Sequence, residues 1–218
     1  MNINENVTRF ENEFKKIKRE GADQLYDYIK NKSDMFTAPG STKFHLSVKG
    51  GLLQHSLNVL DALKSILHDN GDGTYSYLVC GQKINDKRFV FTEENLIVIS
   101  LLHDICKTGY YKVEQRWKKD ENNKWESYDA FVTDDKFPLG HGEKSCLMIQ
   151  QFMKLEQAEL YAIRWHMGFT DSSIPANINT LSMAIDKYPI IWALHNADMV
   201  ASHFMEDTEG NLPQFDNI

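Results

Sequence analysis

The sequence predicts an all-α fold, a helical bundle carrying one small β-hairpin insertion. Apolar residues recur at helical spacing along most of the chain. Residues 96–105 are apolar nearly all round, which suits a helix in the middle of a core. Two aromatic-rich runs flank the polar turn Asp120-Glu121-Asn122-Asn123, so residues 110–132 read as a hairpin on the helical body.

The elements follow in order. Val7, Phe10, Phe14 and Ile17 mark a first helix ended by Gly21, and Leu25, Tyr28 and Ile29 mark a second. Residues 34–51 read as a loop, with Pro39-Gly40 and Gly50-Gly51 as breakers. A helix over about 52–68 turns Leu53, Leu57, Leu60 and Leu63 inward. Residues 70–91 are mixed, with a turn at Asn70-Gly71-Asp72-Gly73 and room for short strands. Thr92 is an N-cap candidate, and Glu93 and Glu94 suit the first turn of the apolar helix. Further helices are expected at about 142–154, 156–166 and 189–205, with Pro189 at a first helical position. Residues 170–179 read as a loop with a short helix after it. The whole chain reads as one domain: N-terminal helices over 1–33, a core over 34–205, and an acidic, frayed tail over 206–218.

Composition narrows the function classes. At 218 residues and 42% hydrophobic, the chain can bury one sizeable core. No apolar run reaches the roughly 20 residues of a membrane span, and no signal-peptide core is visible. Cys80, Cys106 and Cys146 are widely spaced with no CxxC pair, which points away from a zinc knuckle and towards a reducing cytoplasm. Net charge is −7, and acids flank both basic clusters, residues 15–19 and 116–119. Both clusters read as solvated faces, so a small phosphorylated substrate is expected rather than duplex nucleic acid or a membrane. Oligomeric state is not specified by the sequence.

The chemistry gathers around His103-Asp104, set among Leu101, Leu102 and Ile105. A charged Asp in a core helix costs several kcal/mol unless compensated. A bland alternative is a satisfied core histidine beside a backbone-capping Asp. His55 (GLLQHSLNVL), His166 (RWHMG) and Asp198 (LHNADMV) are equally awkward to bury alone. One shared nitrogen- and oxygen-liganded centre relieves them all and suits one or two divalent ions such as Fe, Mn, Zn, Ni or Mg. Neighbours on a helix point about 100° apart. His103 and Asp104 therefore converge only if the ion sits between them, or if Asp104 bridges two ions.

The order His55, His103-Asp104, Asp198, within the strings GGLLQHSLNVL, ISLLHDICKTG, LGHGEKS, RWHMG and LHNADMV, resembles the HD superfamily of metal-dependent phosphohydrolases. In motif the chain is most similar to the HD domain of bacterial 3′-to-5′ exoribonucleases and to small stand-alone HD hydrolases, over about residues 38–205. The resemblance implies an all-helical fold. It also implies one ion on His55, His103, Asp104 and Asp198, and a second on Asp104, His141 and His166. It implies hydrolysis of a phosphoester in a nucleotide or short oligonucleotide by metal-activated water, with Asp104 and Lys107 catalytic and Lys107 on substrate phosphate. His45 matches a histidine placed to approach substrate. Exoribonuclease relatives carry an oligonucleotide-binding domain ahead of the HD domain. This chain starts only a short way upstream, which shifts the expectation to a small substrate. Two alternatives stand beside hydrolysis: an HD-fold di-iron oxygenase acting on a small molecule, and a non-catalytic nucleotide-binding module.

Weaker candidates complete the set. Arg164 and Lys144 are expected to contact substrate phosphate. His195 and Ser202 share a helical stripe with Asp198 and are expected to orient it. His68, His203 and Cys106 read as structural. The hairpin joins Lys107 to His141, so it is either a cover for the site or a passive insertion.

Overall fold

The computed structural model describes residues 1–171 and 174–211, with side chains at all of these except 174–177. Its centre is the expected apolar helix. α4 (Glu93–Leu102) has Leu96, Ile97, Val98, Ile99, Ser100, Leu101 and Leu102 all buried. Thr92 caps it in a reciprocal box with Asn95, whose side chain accepts from the Thr92 backbone N–H. α3 (Gly51–Ile66) packs against α4 and against α8 (Ile190–Val200), and it buries His55 along with Leu52, Leu53, Leu57 and Leu60. α1 (Ile3–Phe14) lies on α3 and α4, and α2 (Ala22–Asn31) adds Leu25 and Ile29 to the same core. α5 (His141–Gln150) and α6 (Gln157–Arg164) pack on each other, and α6 also meets α4 and α8. No helix among the described residues is long and apolar enough to cross a membrane.

The all-α expectation is wrong. Helices dominate, but the described residues form three small sheets besides. β1 (His68–Asp69), β2 (Thr74–Ser76) and β5 (Val90–Thr92) make an antiparallel sheet in the order β1-β2-β5. β3 (Leu78–Val79) pairs with β4 (Gln82–Lys83). The expected hairpin is the third, β6 (Tyr111–Lys119) with β7 (Trp125–Thr133), in register from Tyr111↔Thr133 to Lys119↔Trp125. The first sheet forms because Gly71 (φ 77°) and Gly73 (φ 83°) reverse the chain where left-handed backbone is needed. Asp69 and Asp72 then accept the backbone N–H groups of Gly71 and Thr74 at 2.8 and 3.0 Å. Strands two or three residues long give no readable alternation in the sequence.

Four other expectations need correcting. α4 stops at Leu102 with His103 as its C-cap, so Asp104 (φ −106°, ψ 15°) has left the helix and opens a 3₁₀ turn, Ile105–Lys107. The stretch expected to be a loop with a short helix contains α7 (Ile174–Lys187), a 14-residue helix with Leu181 and Ala184 buried; residues 172–173 lie outside the described set. The tail is not frayed at its start: beyond α8 a π-helical turn, Ala201–Met205, delivers the Glu206 side chain to a fully enclosed position. The rest of that tail, 212–218, lies outside the described residues. Finally, the 15–19 cluster is not simply a solvated face. Arg19 makes paired bonds of 2.7 and 2.9 Å to Glu159, which is 0% exposed, and a third to Glu94.

That pair gives a stability test. Removing Arg19 strands a buried carboxylate, so Arg19→Ala should lower unfolding free energy by about 3–5 kcal/mol, whereas exposed Lys15→Ala should change it by less than about 0.5 kcal/mol. Urea denaturation of the two variants checks the contrast.

Candidate metal centre

All six expected ligands meet. They come from five segments: His55 from α3, His103-Asp104 from the end of α4, His141 from the start of α5, His166 from the turn after α6, and Asp198 from α8. His55, His103, Asp104 and His166 are each 2% exposed or less. Local sequence sets these positions. His141 can lie this close because Gly142 lets α5 begin against the end of α6, where an added Cβ would stand 2.3 Å from the Arg164 carbonyl oxygen.

Asp104 spans the centre. Its Oδ2 is 3.5 Å from His103 Nε2 and 3.6 Å from His55 Nε2, and His55 Nε2 is 3.3 Å from Asp198 Oδ1. Its Oδ1 is 2.6 Å from His141 Nε2 and 3.5 Å from His166 Nε2. Two donors held about 2.1 Å from one ion at right angles stand about 3 Å apart. The first set therefore matches the edges of one coordination shell, and the second set those of an adjoining shell. His166 Nε2 is buried with no hydrogen-bond partner among the described residues, although it faces Asp104 at 3.5 Å. A buried ring nitrogen left in that state fits a ligand awaiting a cation.

The far side of each ring is anchored. His103 Nδ1 donates to the Ser100 carbonyl at 2.9 Å and His166 Nδ1 to the Ile163 carbonyl at 2.7 Å. His141 Nδ1 lies 3.1 Å from Cys106 Sγ, and His55 Nδ1 lies 3.1 Å from both Glu206 oxygens. With Nδ1 held outward, each Nε2 faces the centre, where an ion would take its lone pair and displace any proton it carries.

Charge balance follows from burial. Burial by itself would raise the Asp104 carboxyl; Lys107, His103 and His141 outweigh it and hold the group well below its ordinary range. Burial pushes His103 down to about 4, so this ring is neutral, as a ligand must be. Burial also opposes charge on His55, but Glu206 and Asp198 outweigh it and push this ring up to about 10. Its proton stands where a cation would otherwise balance the carboxylates.

The other expected residues divide. Lys107 is at the centre, 2.6 Å from Asp104 Oδ2 and 2.8 Å from the Gly40 carbonyl oxygen. His45 reaches it through Glu206, at 2.6 Å. His195 Nδ1 donates to the His166 carbonyl at 2.7 Å, so it braces His166 rather than Asp198. Ser202 donates to the Asp198 backbone carbonyl at 2.8 Å. Lys144 and Arg164 are not brought to the cavity beside the centre. Lys144 is 6% exposed, bonded to Asp135 at 2.8 Å and set over the Tyr110 ring; Arg164 engages Glu143 and Asp171. His68 is exposed on β1 and does not line the cavity. Two residues expected to be structural touch the site: Cys106 through His141, and His203 as part of the cavity wall. Glu206 was missed altogether, because an acid in the string MEDTEG looks like solvated tail.

The cavity has a volume of about 760 Å³ and is lined also by Phe44, Tyr110, Tyr111, Thr133 and Met199. Comparison with known proteins gives no match to a family model, to a curated protein or to a solved structure.

The raised His55 value dictates a pH response. In metal-free protein its stabilisation is complete below the ordinary value of 6.5 and is lost as pH rises through about 10. Chelator-treated protein should therefore lose urea resistance from neutral pH towards pH 10, and His55→Gln should flatten that loss. A divalent ion displaces the same proton, so Mn²⁺ or Zn²⁺ affinity measured by calorimetry should tighten as pH rises.

Proposed function

We propose that this chain is a metal-dependent phosphohydrolase of the HD type, cleaving a phosphoester in a nucleotide or short oligonucleotide. One observation carries the reading: four imidazoles converge on Asp104 beside the Lys107 ammonium, with Asp198 against His55, in the wall of an open cavity. The motif order in the sequence adds to it. A cavity of about 760 Å³ falls in the usual range for small-molecule sites, about 300–1,000 Å³.

A divalent ion held by His55, His103, Asp104 and Asp198, with Asp104, His141 and His166 able to hold another, supplies Lewis-acid polarisation of the phosphoryl group and acidifies coordinated water. The chain's own residues do the rest. Lys107 has three N–H donors and spends two, on Asp104 and on Gly40, leaving one for a phosphate oxygen facing the cavity. Placed there before the reaction, it opposes the charge that develops on the phosphoryl oxygens. Burial pushes Tyr111 up to about 12, so its hydroxyl remains a donor at the cavity rim. Tyr110 and Phe44 offer aromatic surface on which a base can stack. No Ser or Cys nucleophile is required. The three cysteines are free, which fits a reducing cytoplasm.

The test is metal analysis followed by a phosphate-release panel with Mn²⁺ across nucleoside mono- and triphosphates, cyclic dinucleotides and short RNA. Asp104→Ala should lose bound metal and turnover together. Lys107→Ala should keep its metal and lose about 10²-fold or more in kcat/KM. Absence of turnover across the panel, or C–H oxidation accompanied by a mixed-valent iron signal, would overturn the hydrolase reading.

A further inference from the structure

The segment after α8 reaches two places at once. Asp198 and Glu206 are eight residues apart, and eight steps of an unbroken α-helix would leave them about 80° out of line. A π-helical turn over Ala201–Met205 breaks that register, and Glu206 leaves it in extended backbone (φ −132°, ψ 139°) with its side chain against His55. There its side chain is 0% exposed and makes three contacts: His55 Nδ1 at 3.1 Å, His45 Nδ1 at 2.6 Å and Asn58 Nδ2 at 2.9 Å. Asn58 lies one turn along α3 from His55 and is itself bonded to Gln54. The carboxylate is thus fixed by donors on α3 and on the loop before it.

The same segment holds that loop through its backbone. Leu46 N–H donates to the Asp207 carbonyl at 2.6 Å, Ser47 N–H to the Thr208 carbonyl at 2.9 Å, and Thr208 Oγ1 to the Phe44 carbonyl at 2.9 Å. Leu46 sits at φ +46°, left-handed backbone that a branched side chain resists. The loop therefore depends on being tied down. Its residues Ser41, Thr42, Lys43, Phe44 and His45 line the cavity.

We propose that Glu206 is a positioning residue that couples ion binding at His55 to the order of the cavity-lining loop. It accepts the His55 Nδ1–H, which leaves Nε2 to face Asp104 and Asp198, and it grips His45 with its other contacts. An ion that fixes His55 thereby fixes Glu206 and the loop fastened to it. By linkage, loosening the loop weakens the ion site by the same factor. The inference rests on the metal-centre reading above and adds the residue that governs it.

The test uses the full chain with Mn²⁺ or Zn²⁺ as the probe. Glu206→Ala should weaken binding at the His55 site about 10- to 100-fold. Ion addition should slow hydrogen exchange at the Leu46 and Ser47 amides in the wild type and fail to do so in the variant. Glu206→Gln keeps the shape and one acceptor oxygen, so it should recover part of both effects; it also serves if the alanine variant does not fold. In ¹⁵N histidine spectra of ion-loaded protein, the His55 signals should shift in both variants. If wild type binds no ion, the metal-centre reading itself fails. If wild type binds but both variants bind as tightly, or the loop amides exchange alike with and without ion, Glu206 is structural only and the coupling is refuted.

Discussion

A carboxylate sealed in a protein core must be answered by its neighbours, and in this chain the carboxylate is Asp104. At 2% exposure it has almost no water to stabilise it. Lys107 and four imidazoles are arrayed on its two oxygens, and each imidazole is held from behind by a carbonyl, a thiol or Glu206. Much of the architecture follows from that requirement. α4 has to stop so that His103 and Asp104 can both turn towards one point. α5 has to carry a glycine, Gly142, in its first turn that tolerates contact with the end of α6. α8 has to continue into a wider turn so that a third buried carboxylate meets the back of His55.

Residues far from Asp104 serve the same end. Arg19 leaves the N-terminal helices to join Glu94 at the head of α4 and Glu159 on α6, and Asn95 donates to Glu159 as well. α4 and α6 lead directly into His103-Asp104 and His166. Anchoring their N-terminal turns to one guanidinium fixes the spacing at which their C-terminal ends deliver ligands. A stability feature and a site feature are here parts of a single frame.

What the sequence made legible, and what it hid, follows from the range of the forces involved. The apolar run of α4, its Thr92 cap and the hairpin were readable because propensity, capping and alternation act over a few neighbouring residues. Five of the candidate ligands, His55, His103, Asp104, His166 and Asp198, were readable as His or Asp awkward to bury alone, and His141 only through the motif resemblance. The exit of Asp104 from α4 was not readable, since Ile105 and Cys106 look like further helix. The sheet at 68–92 was hidden because its strands hold two or three residues and owe their pairing to contacts across the chain. Lys144 and Arg164 looked like phosphate contacts because a sequence shows their charge and not the acids that claim them. Glu206 was hidden for the opposite reason: its partners lie about 150 positions upstream.

The β6–β7 ribbon has a consequence unrelated to chemistry. Paired only with each other, both strands are edge strands, and each leaves a row of backbone groups open to another strand. Trp117 and Trp125 stand on the ribbon at 61% and 64% exposure, so a flat approach by a second ribbon would be adhesive. Lys112, Glu114, Arg116 and Lys118 alternate along β6, and Glu126 continues the charge on β7. These charges point from the face opposite the two tryptophans, so they act against a further strand pairing along the edge rather than against stacking on the tryptophan face. Protection of the ribbon's edges thus rests on side chains that take no part in the interior, and neutralising them would invite strand-to-strand association while leaving every buried imidazole in place.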